Sequence, residues 1–154
     1  MQYSIDTSAL IDAWVRYYAP DVFPGWWILF EESIQEGLVR ASKLVLLDLE
    51  RKDDTVHAWA KGHPDLFISI DGEIQGEVTN ILASYPRLVE NRKNRSASDP
   101  FVIALARLNN ACVVTGENLT GKIDRPNIPD VCQAMSIPCI NLLKFMREMK
   151  WRIE

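Results

Sequence analysis

Short apolar runs alternate along this chain with longer segments of helical periodicity. Tyr3 and Ile5 alternate with polar neighbours, which predicts a strand over residues 1–5 that ends at Asp6. The segment that follows, residues 8–18, places apolar side chains at i, i+3, i+4 and i+7, which is the spacing of one helix face. The chain therefore begins with a strand that leads directly into a helix.

The same alternation continues to the end of the chain. It predicts helices over residues 26–36, 42–51, 54–59, 71–84, 100–108, 128–135 and 141–150, and strands over residues 38–41, 111–115 and 137–140. Strands that alternate with helices of this length form mostly parallel sheets, because the helices return the chain to the same end of the sheet. We therefore expect an α/β fold of three layers, α/β/α, with a central, mostly parallel sheet.

Three carboxylates stand out by their positions in this pattern. Asp6 follows the first strand, Asp99 precedes the most apolar helix, and Glu117 follows the most apolar strand. Taken singly, Asp99 also suits a helix cap, and Asp6 and Glu117 also suit turn residues or solvated acids. The carboxyl ends of parallel strands lie at one edge of a sheet, however, and acids gathered there repel one another unless a cation is present. Oxygen ligands of this kind favour Mg²⁺ or Mn²⁺.

An acid in the third predicted helix-forming segment and a basic run are further candidates for the site. Glu50 lies late in the helix over residues 42–51, where Asp48 is a second acidic candidate, and either is also typical of a solvated helix face. A basic run precedes Asp99 and suits contacts with a phosphate backbone, although such a run is more often a solvated loop. The run consists of Arg92, Lys93 and Arg95.

Composition narrows the class of protein. A length of 154 residues with 47% hydrophobic and 25% charged residues predicts one globular domain, residues 1–154. The net charge of −4 argues against a general nucleic-acid binder, while a local basic patch remains compatible with it. We find no apolar stretch of the ~20 residues that span a membrane and no export signal, so we expect a cytoplasmic protein without membrane contact.

Four stretches, in this order along the chain, resemble the PIN-domain family of metal-dependent ribonucleases. They are residues 5–10, 47–51, 98–104 and 113–117. Three smaller elements are similar to a bacterial and archaeal branch related to the VapC toxins. They are Tyr17-Tyr18, the Pro-Gly-Trp-Trp segment at residues 24–27, and the Ile-Pro-Asp-Val-Cys segment at residues 128–132.

The resemblance implies a role for each acid. Asp6, Asp99 and Glu117 match metal ligands, and Glu50 matches the acid carried by a helix, with Asp48 as its alternative. Many members of the family have Asp where this chain has Glu117. All four acids, Asp6, Glu50, Asp99 and Glu117, are expected to take part in catalysis, supported by the hydroxyls of Ser8 and Thr115.

The implied activity is Mg²⁺- or Mn²⁺-dependent hydrolysis of RNA phosphodiester bonds by an endoribonuclease. A toxin–antitoxin setting follows from the same resemblance, with a cognate antitoxin and a homodimer as partners, and the aromatic N-terminal helices as the candidate interface. Two other interpretations remain. A phosphatase with Asp6 as nucleophile requires a second Asp where this chain has Ser8, and a catalytically silent PIN-like scaffold would use the same fold for protein interactions.

Overall fold

The computed structural model of the chain describes residues 1–89 and 97–154. Within these residues the strands are β1 (Tyr3–Ile5), β2 (Val39–Ser42), β3 (Phe67–Ile68), β4 (Cys112–Val114) and β5 (Cys139–Ile140). They form a five-stranded sheet in the order β3-β2-β1-β4-β5, and every neighbouring pair is parallel. The predicted α/β fold with a parallel central sheet is confirmed. The short edge strand β3 was not predicted, because two residues carry no readable periodicity.

Helices connect successive strands. They are α1 (Thr7–Ile11), which continues as a π-helical segment (Asp12–Tyr17), α2 (Pro24–Gln35), α3 (Lys43–Lys52), α4 (Asp54–Lys61), α5 (Gly72–Ser84), α6 (Asp99–Leu108), α7 (Ile128–Ala134) and α8 (Leu142–Glu148). Side-chain oxygens of the preceding residue cap several of them: Ser42 caps α3, Asp71 caps α5 and Asn141 caps α8. No helix of the described ranges is long and apolar enough to cross a membrane.

Two neighbouring residues of β1 show that helices cover both faces of the sheet. Ser4 donates a hydrogen bond from its hydroxyl to the carbonyl of Val102 in α6, at 2.9 Å. Tyr3 contacts the ring of Phe145 in α8 edge-on, with ring centroids 4.9 Å apart, and its hydroxyl donates to Glu148. Because successive side chains of a strand point to opposite faces, α6 and α8 lie on opposite sides of β1. The sheet is therefore the middle layer of three.

Helix α6 is the central helix of one layer. Its residues from Val102 to Ala106 are all buried, as the nearly continuous apolar sequence predicts. Its first turn differs by one residue from the prediction. Asp99 occupies the first helical position instead of the cap, and Ser98 precedes it without a capping hydrogen bond from its side chain. Ser98 already has helical backbone angles, φ −77° and ψ −19°, and its hydroxyl donates to Asp48 in α3.

The aromatic residues near the N-terminus are mostly part of the core. Trp26, Trp27 and Phe30 are at most 4% exposed, and Trp26 stacks between Tyr18 and Phe30. Only the outer side chains of these helices are therefore available for the predicted interface. Exposed apolar side chains in this part of the chain are Val15, Tyr17, Val22, Phe23 and Ile28.

Candidate functional site

Asp6 lies at the point where β1 ends and α1 begins. Its side chain is 1% exposed and caps α1 by accepting a hydrogen bond from the backbone N–H of Ala9 at 2.8 Å. Two hydroxyls also contact the carboxylate: Thr115 donates to it at 2.7 Å, and Ser8 Oγ lies 2.9 and 3.0 Å from its two oxygens. The structure thus brings Asp6, Ser8 and Thr115 together, as the sequence interpretation expected of them.

The surroundings of Asp6 make its charged form unfavourable. Complete burial raises the pKa of Asp6, the negative charge of Glu117 raises it further, and the hydrogen bonds from Ala9, Thr115 and Ser8 only partly oppose these effects. The resulting pKa is about 7 instead of the ordinary value of 3.8. A cation bound beside a buried carboxylate and a second acid would stabilise the charged form of both.

Glu117 follows the end of β4 and lies close enough to act electrostatically on Asp6. Its backbone N–H donates to Thr115 Oγ1 at 3.0 Å, so one hydroxyl links the backbone of Glu117 to the carboxylate of Asp6. The Glu117 side chain accepts a hydrogen bond from the backbone N–H of Ile128 at 3.0 Å, at the start of α7. Glu117 is therefore held between the end of β4 and α7.

Gly116 separates Thr115 from Glu117 and allows a close approach by a side chain from the π-helical segment. A Cβ atom at Gly116 would lie 2.3 Å from Asp12 Oδ2 and 3.2 Å from Ser8 Oγ. Partial burial raises the pKa of Asp12, and the nearby Arg16 opposes that effect. Asp12 was not among the predicted site residues, because its position next to Gly116 follows from tertiary packing and has no local sequence signal.

Asp48 is the buried acid of α3. It is 2% exposed, and it accepts hydrogen bonds from the hydroxyls of Thr7 at 3.1 Å and Ser98 at 2.5 Å. Thr7 and Ser98 are the sequence neighbours of Asp6 and Asp99, so Asp48 lies between the starts of α1 and α6. Arg51, one helical turn later, makes an ion pair with the other Asp48 oxygen.

Glu50 does not join this group: its side chain is exposed to solvent. Two positions apart on an α-helix correspond to about 200°, so Asp48 and Glu50 necessarily lie on opposite sides of α3. Of the two candidate acids of α3, the fold thus buries Asp48 and leaves Glu50 exposed to solvent. Asp48 lies on the buried side of α3 with Val45 and Leu49. Glu50 follows Leu46 and Leu47 at the same helical spacing, so the sequence alone does not distinguish the two acids.

The remaining predicted site residues divide into two groups. Asp99 is 2% exposed and lies in the first turn of α6, directly after the residue that contacts Asp48. The predicted basic run lies outside the described residues. It comprises Arg92, Lys93 and Arg95.

A second buried carboxylate, Asp130, organises the loop that follows Glu117. It accepts hydrogen bonds from the backbone N–H groups of Thr120, Gly121 and Asn127 and from the Thr120 hydroxyl, at 2.8–3.1 Å. Asp130 lies in the first turn of α7, whose first residue, Ile128, binds Glu117. This loop is thereby fixed to the helix that positions Glu117.

Comparison with protein families places the chain by its sequence. Residues 3–153 match the model of a domain of unknown function, DUF4411. The chain belongs to the DUF4411 family. No curated protein matches the chain.

A comparison with solved structures shows which known fold the chain resembles. The chain is similar to one in the crystal structure of VapBC2 from Rickettsia felis bound to a DNA fragment from their promoter. The TM-score is 0.56 at 13% sequence identity, and the match covers 92% of this chain and 98% of the other. At this identity the likeness concerns the fold alone, and it confirms the predicted PIN-like fold.

The oxygen donors at the candidate site suit a hard divalent cation in chemical type. Carboxylates of Asp6, Asp99 and Glu117 are of the kind that Mg²⁺ and Mn²⁺ prefer, and Glu117 already acts electrostatically on Asp6. Nevertheless, residues 1–89 and 97–154 contain no group of three or more His, Cys, Asp or Glu side chains that could hold a metal ion as they stand. The donors therefore fit such a cation by chemistry and burial, without forming a completed ligand set.

Proposed function

We propose that this protein is a Mg²⁺- or Mn²⁺-dependent endoribonuclease. The observation that carries the proposal is the buried Asp6, which two hydroxyls and one N–H group hold beside Glu117 at the end of β1. A stability role alone does not account for a carboxylate whose charged form is disfavoured by its surroundings. The PIN-like fold and the four stretches that resemble PIN-domain ribonucleases support the same assignment.

The proposed roles follow the positions of the side chains. Asp6, Asp99 and Glu117 are proposed to hold the cation, which supplies positive charge that stabilises the phosphate during hydrolysis of the phosphodiester. Ser8 and Thr115 orient the Asp6 carboxylate through the hydrogen bonds already present. Asp48, held by Thr7 and Ser98, keeps the starts of α1 and α6 together and so positions Asp6 relative to Asp99. The predicted basic run is proposed to contact the RNA backbone.

The decisive experiment is cleavage of a mixed RNA pool with Mg²⁺, Mn²⁺ or EDTA. The native chain is compared with Asp6→Asn and Asp99→Asn, which preserve side-chain size and remove a negative charge. We expect metal-dependent cleavage by the native chain and a loss of roughly 100-fold or more in each variant. Circular dichroism and thermal unfolding of the same preparations establish that the variants are folded.

Two outcomes would reject the proposal. Equal cleavage by the native chain and both variants would identify a contaminating nuclease as the source. Absence of cleavage by the native chain with every pool and metal would favour the catalytically silent scaffold, in which the same fold serves protein interactions.

The choice between the two acids of α3 has its own test in the same assay. Asp48→Asn removes the buried charge that Thr7 and Ser98 contact, whereas Glu50→Gln changes an exposed side chain of the same helix. We expect Asp48→Asn to reduce cleavage at least 10-fold and Glu50→Gln to leave it within a factor of two. A larger loss of cleavage in Glu50→Gln than in Asp48→Asn would show that Glu50 is the acid of α3 that cleavage requires.

A toxin–antitoxin setting is proposed on the same basis. One structural neighbour is VapBC2 from Rickettsia felis bound to a DNA fragment from their promoter, which makes an antitoxin encoded beside this chain the partner to test. We propose a cytoplasmic toxin that forms a homodimer and is inhibited by that antitoxin. Co-expression with the neighbouring gene product tests this: relief of growth inhibition and co-purification are expected. A monomeric chain that binds no neighbouring product would contradict it.

A further inference from the structure

A cleft of about 270 Å³ lies directly beside the candidate site and shares Thr115 and Gly116 with it. Thr115 is the residue whose hydroxyl donates to Asp6, so a molecule in this cleft lies next to the proposed reaction centre. The other walls come from the π-helical segment, the loop after β4 and the start of α8. The volume suits one planar ring system and excludes a double-stranded nucleic acid.

One wall of the cleft is aromatic. Tyr17 is 55% exposed, and its ring centroid lies 6.3 Å from that of Tyr18. Tyr18 is fixed in turn, because it stacks on the buried Trp26 with centroids 5.1 Å apart and an interplanar angle of 6°. An exposed tyrosine supported from behind is a suitable surface for stacking an unpaired base.

The polar side of the cleft accepts hydrogen bonds. The carboxylate of Asp12 offers two acceptor oxygens, and among residues 1–89 and 97–154 it forms an ion pair with the largely exposed Arg16 at 3.4 Å. A pair of this kind contributes little energy, so a ligand displaces it easily. Asn141 also lines the cleft, and its Oδ1 accepts from the backbone N–H of Lys144, so the group it offers to a ligand is the Nδ2 donor.

This combination selects among the four RNA bases. Guanine carries two adjacent N–H donors on its Watson–Crick edge, the ring N1–H and the exocyclic amine, which match the two oxygens of one carboxylate. Adenine, cytosine and uracil each offer a single donor group on that edge. The carbonyl oxygen of guanine on the same edge accepts a hydrogen bond, for which the Asn141 amide is a donor of the required type.

We propose that this cleft binds the base of one unpaired guanine nucleotide of the RNA substrate, stacked on Tyr17 and read by Asp12. The inference rests on the proposed ribonuclease function and deepens it by naming the nucleotide next to the cleavage site. Asp12 is thus a specificity residue, separate from the acids proposed to hold the cation.

Binding of four short RNAs tests the proposal without relying on cleavage. The probes are fluorescently labelled single-stranded octamers that differ only in one central base, G, A, C or U, measured by fluorescence anisotropy in EDTA. We expect the G probe to bind roughly 10-fold more tightly than the other three. Since all four carry the same backbone charge, their ratio is insensitive to general electrostatic attraction.

Two variants and a control separate the hydrogen bonds to Asp12 from the stacking on Tyr17. Asp12→Asn should reduce the preference for G to less than threefold, because one carboxylate oxygen becomes an amide donor. Asp21→Asn makes the same charge change on a neighbouring exposed turn and should retain the preference. Tyr17→Ala should weaken all four probes roughly 10-fold with the ratio preserved, because stacking does not discriminate strongly among bases. Tyr17 is exposed, so this variant is expected to fold.

The outcomes distinguish this inference from the proposed function. Equal binding of the four probes by the native chain, or an unchanged preference in Asp12→Asn, overturns the guanine subsite even if the chain cleaves RNA. A G preference that depends on Asp12 supports the subsite even if no cleavage is found, and in that case only the nuclease proposal fails. Asp6→Asn tests the two proposals in one variant, since it should lose cleavage and retain the preference for the G probe.

Discussion

Two buried carboxylates near the same edge of the sheet, Asp6 and Asp130, differ in the state that their surroundings favour. Both are at most 6% exposed, and each accepts at least three hydrogen bonds. Yet the pKa of Asp6 is raised to about 7, whereas the pKa of Asp130 is lowered below its ordinary value. The number of hydrogen bonds therefore does not decide whether a buried acid is charged.

The difference lies in the donors and the neighbours. Burial raises the pKa of Asp130, but the N–H groups of Thr120, Asn127 and Gly121 and the Thr120 hydroxyl together outweigh it. At Asp6 burial is complete and the charge of Glu117 adds to it, so three hydrogen bonds do not suffice. Asp130 stabilises a loop, whereas the surroundings of Asp6 disfavour its charged form, for which a cation would compensate.

The largest expected effect is a dependence of stability on pH that comes from Asp6. Between about pH 4 and pH 7, the folded metal-free chain retains a proton on Asp6 that the unfolded chain has lost. The contribution of Asp6 to the free energy of unfolding is therefore fully present below pH 4 and declines as the pH rises to about 7. The decline is up to roughly 4 kcal/mol, because a tenfold change in proton affinity equals about 1.4 kcal/mol.

Urea unfolding in EDTA from pH 4.5 to 8 measures this effect as the difference between the native chain and Asp6→Asn. The subtraction removes groups common to both chains, and we expect the native chain to lose stability relative to the variant as the pH rises. Asp21→Asn, an exposed change of the same kind, should give a difference that does not vary with pH. A flat profile for Asp6→Asn would contradict the raised pKa.

The second prediction concerns Asp130. Asp130→Asn replaces one acceptor oxygen by an NH₂ group that faces N–H donors, and we expect a loss of about 3 kcal/mol in the free energy of unfolding at pH 7. Asp124→Asn, on the exposed part of the same loop, should change stability by less than about 0.5 kcal/mol. Similar small losses in both variants would show that the Asp130 hydrogen bonds do not hold this loop.

The smallest expected effect tests the hydroxyl that supports Asp6. Thr115→Val preserves the shape of the side chain and removes both the donor to Asp6 and the acceptor for the Glu117 N–H. We expect a loss of about 1 kcal/mol at pH 8, and less at pH 5, because this donor stabilises the charged form of Asp6. Thr79→Val, on the exposed face of α5, serves as the matched control. A loss of unfolding free energy that does not depend on pH would show that Thr115 contributes through packing and not through its hydrogen bond to Asp6.

Much of the fold was predictable from local sequence. The first strand, the capped helices α3, α5 and α8, and the buried helix α6 follow from periodicity and from Ser42, Asp71 and Asn141 at their starts. The positions of Asp6, Asp99 and Glu117 relative to strands and helices were equally readable. Edge strand β3 was not, since its two residues form a strand only by pairing with β2.

The choice of acid on α3 shows where local reasoning is insufficient. Asp48 and Glu50 are both acidic and lie in the same helix, and the resemblance to PIN-domain ribonucleases favoured Glu50. Asp48 is the buried one because Thr7 and Ser98, 41 and 50 residues away, lie on its side of α3. Asp12 was missed for the same reason, as only its packing against Gly116 distinguishes it from other surface acids.

The sequence by itself determined the order of strands and helices, the parallel sheet that this order requires, and the presence of acids at the ends of β1 and β4. These properties depend on neighbours within a few residues. The tertiary structure alone decided which acid of α3 is buried, that Asp12 borders a cleft beside Thr115, and that Asp6 retains its proton to about pH 7. Burial and the distance between charges arise from packing of segments remote in sequence, and they govern the chemistry of the site.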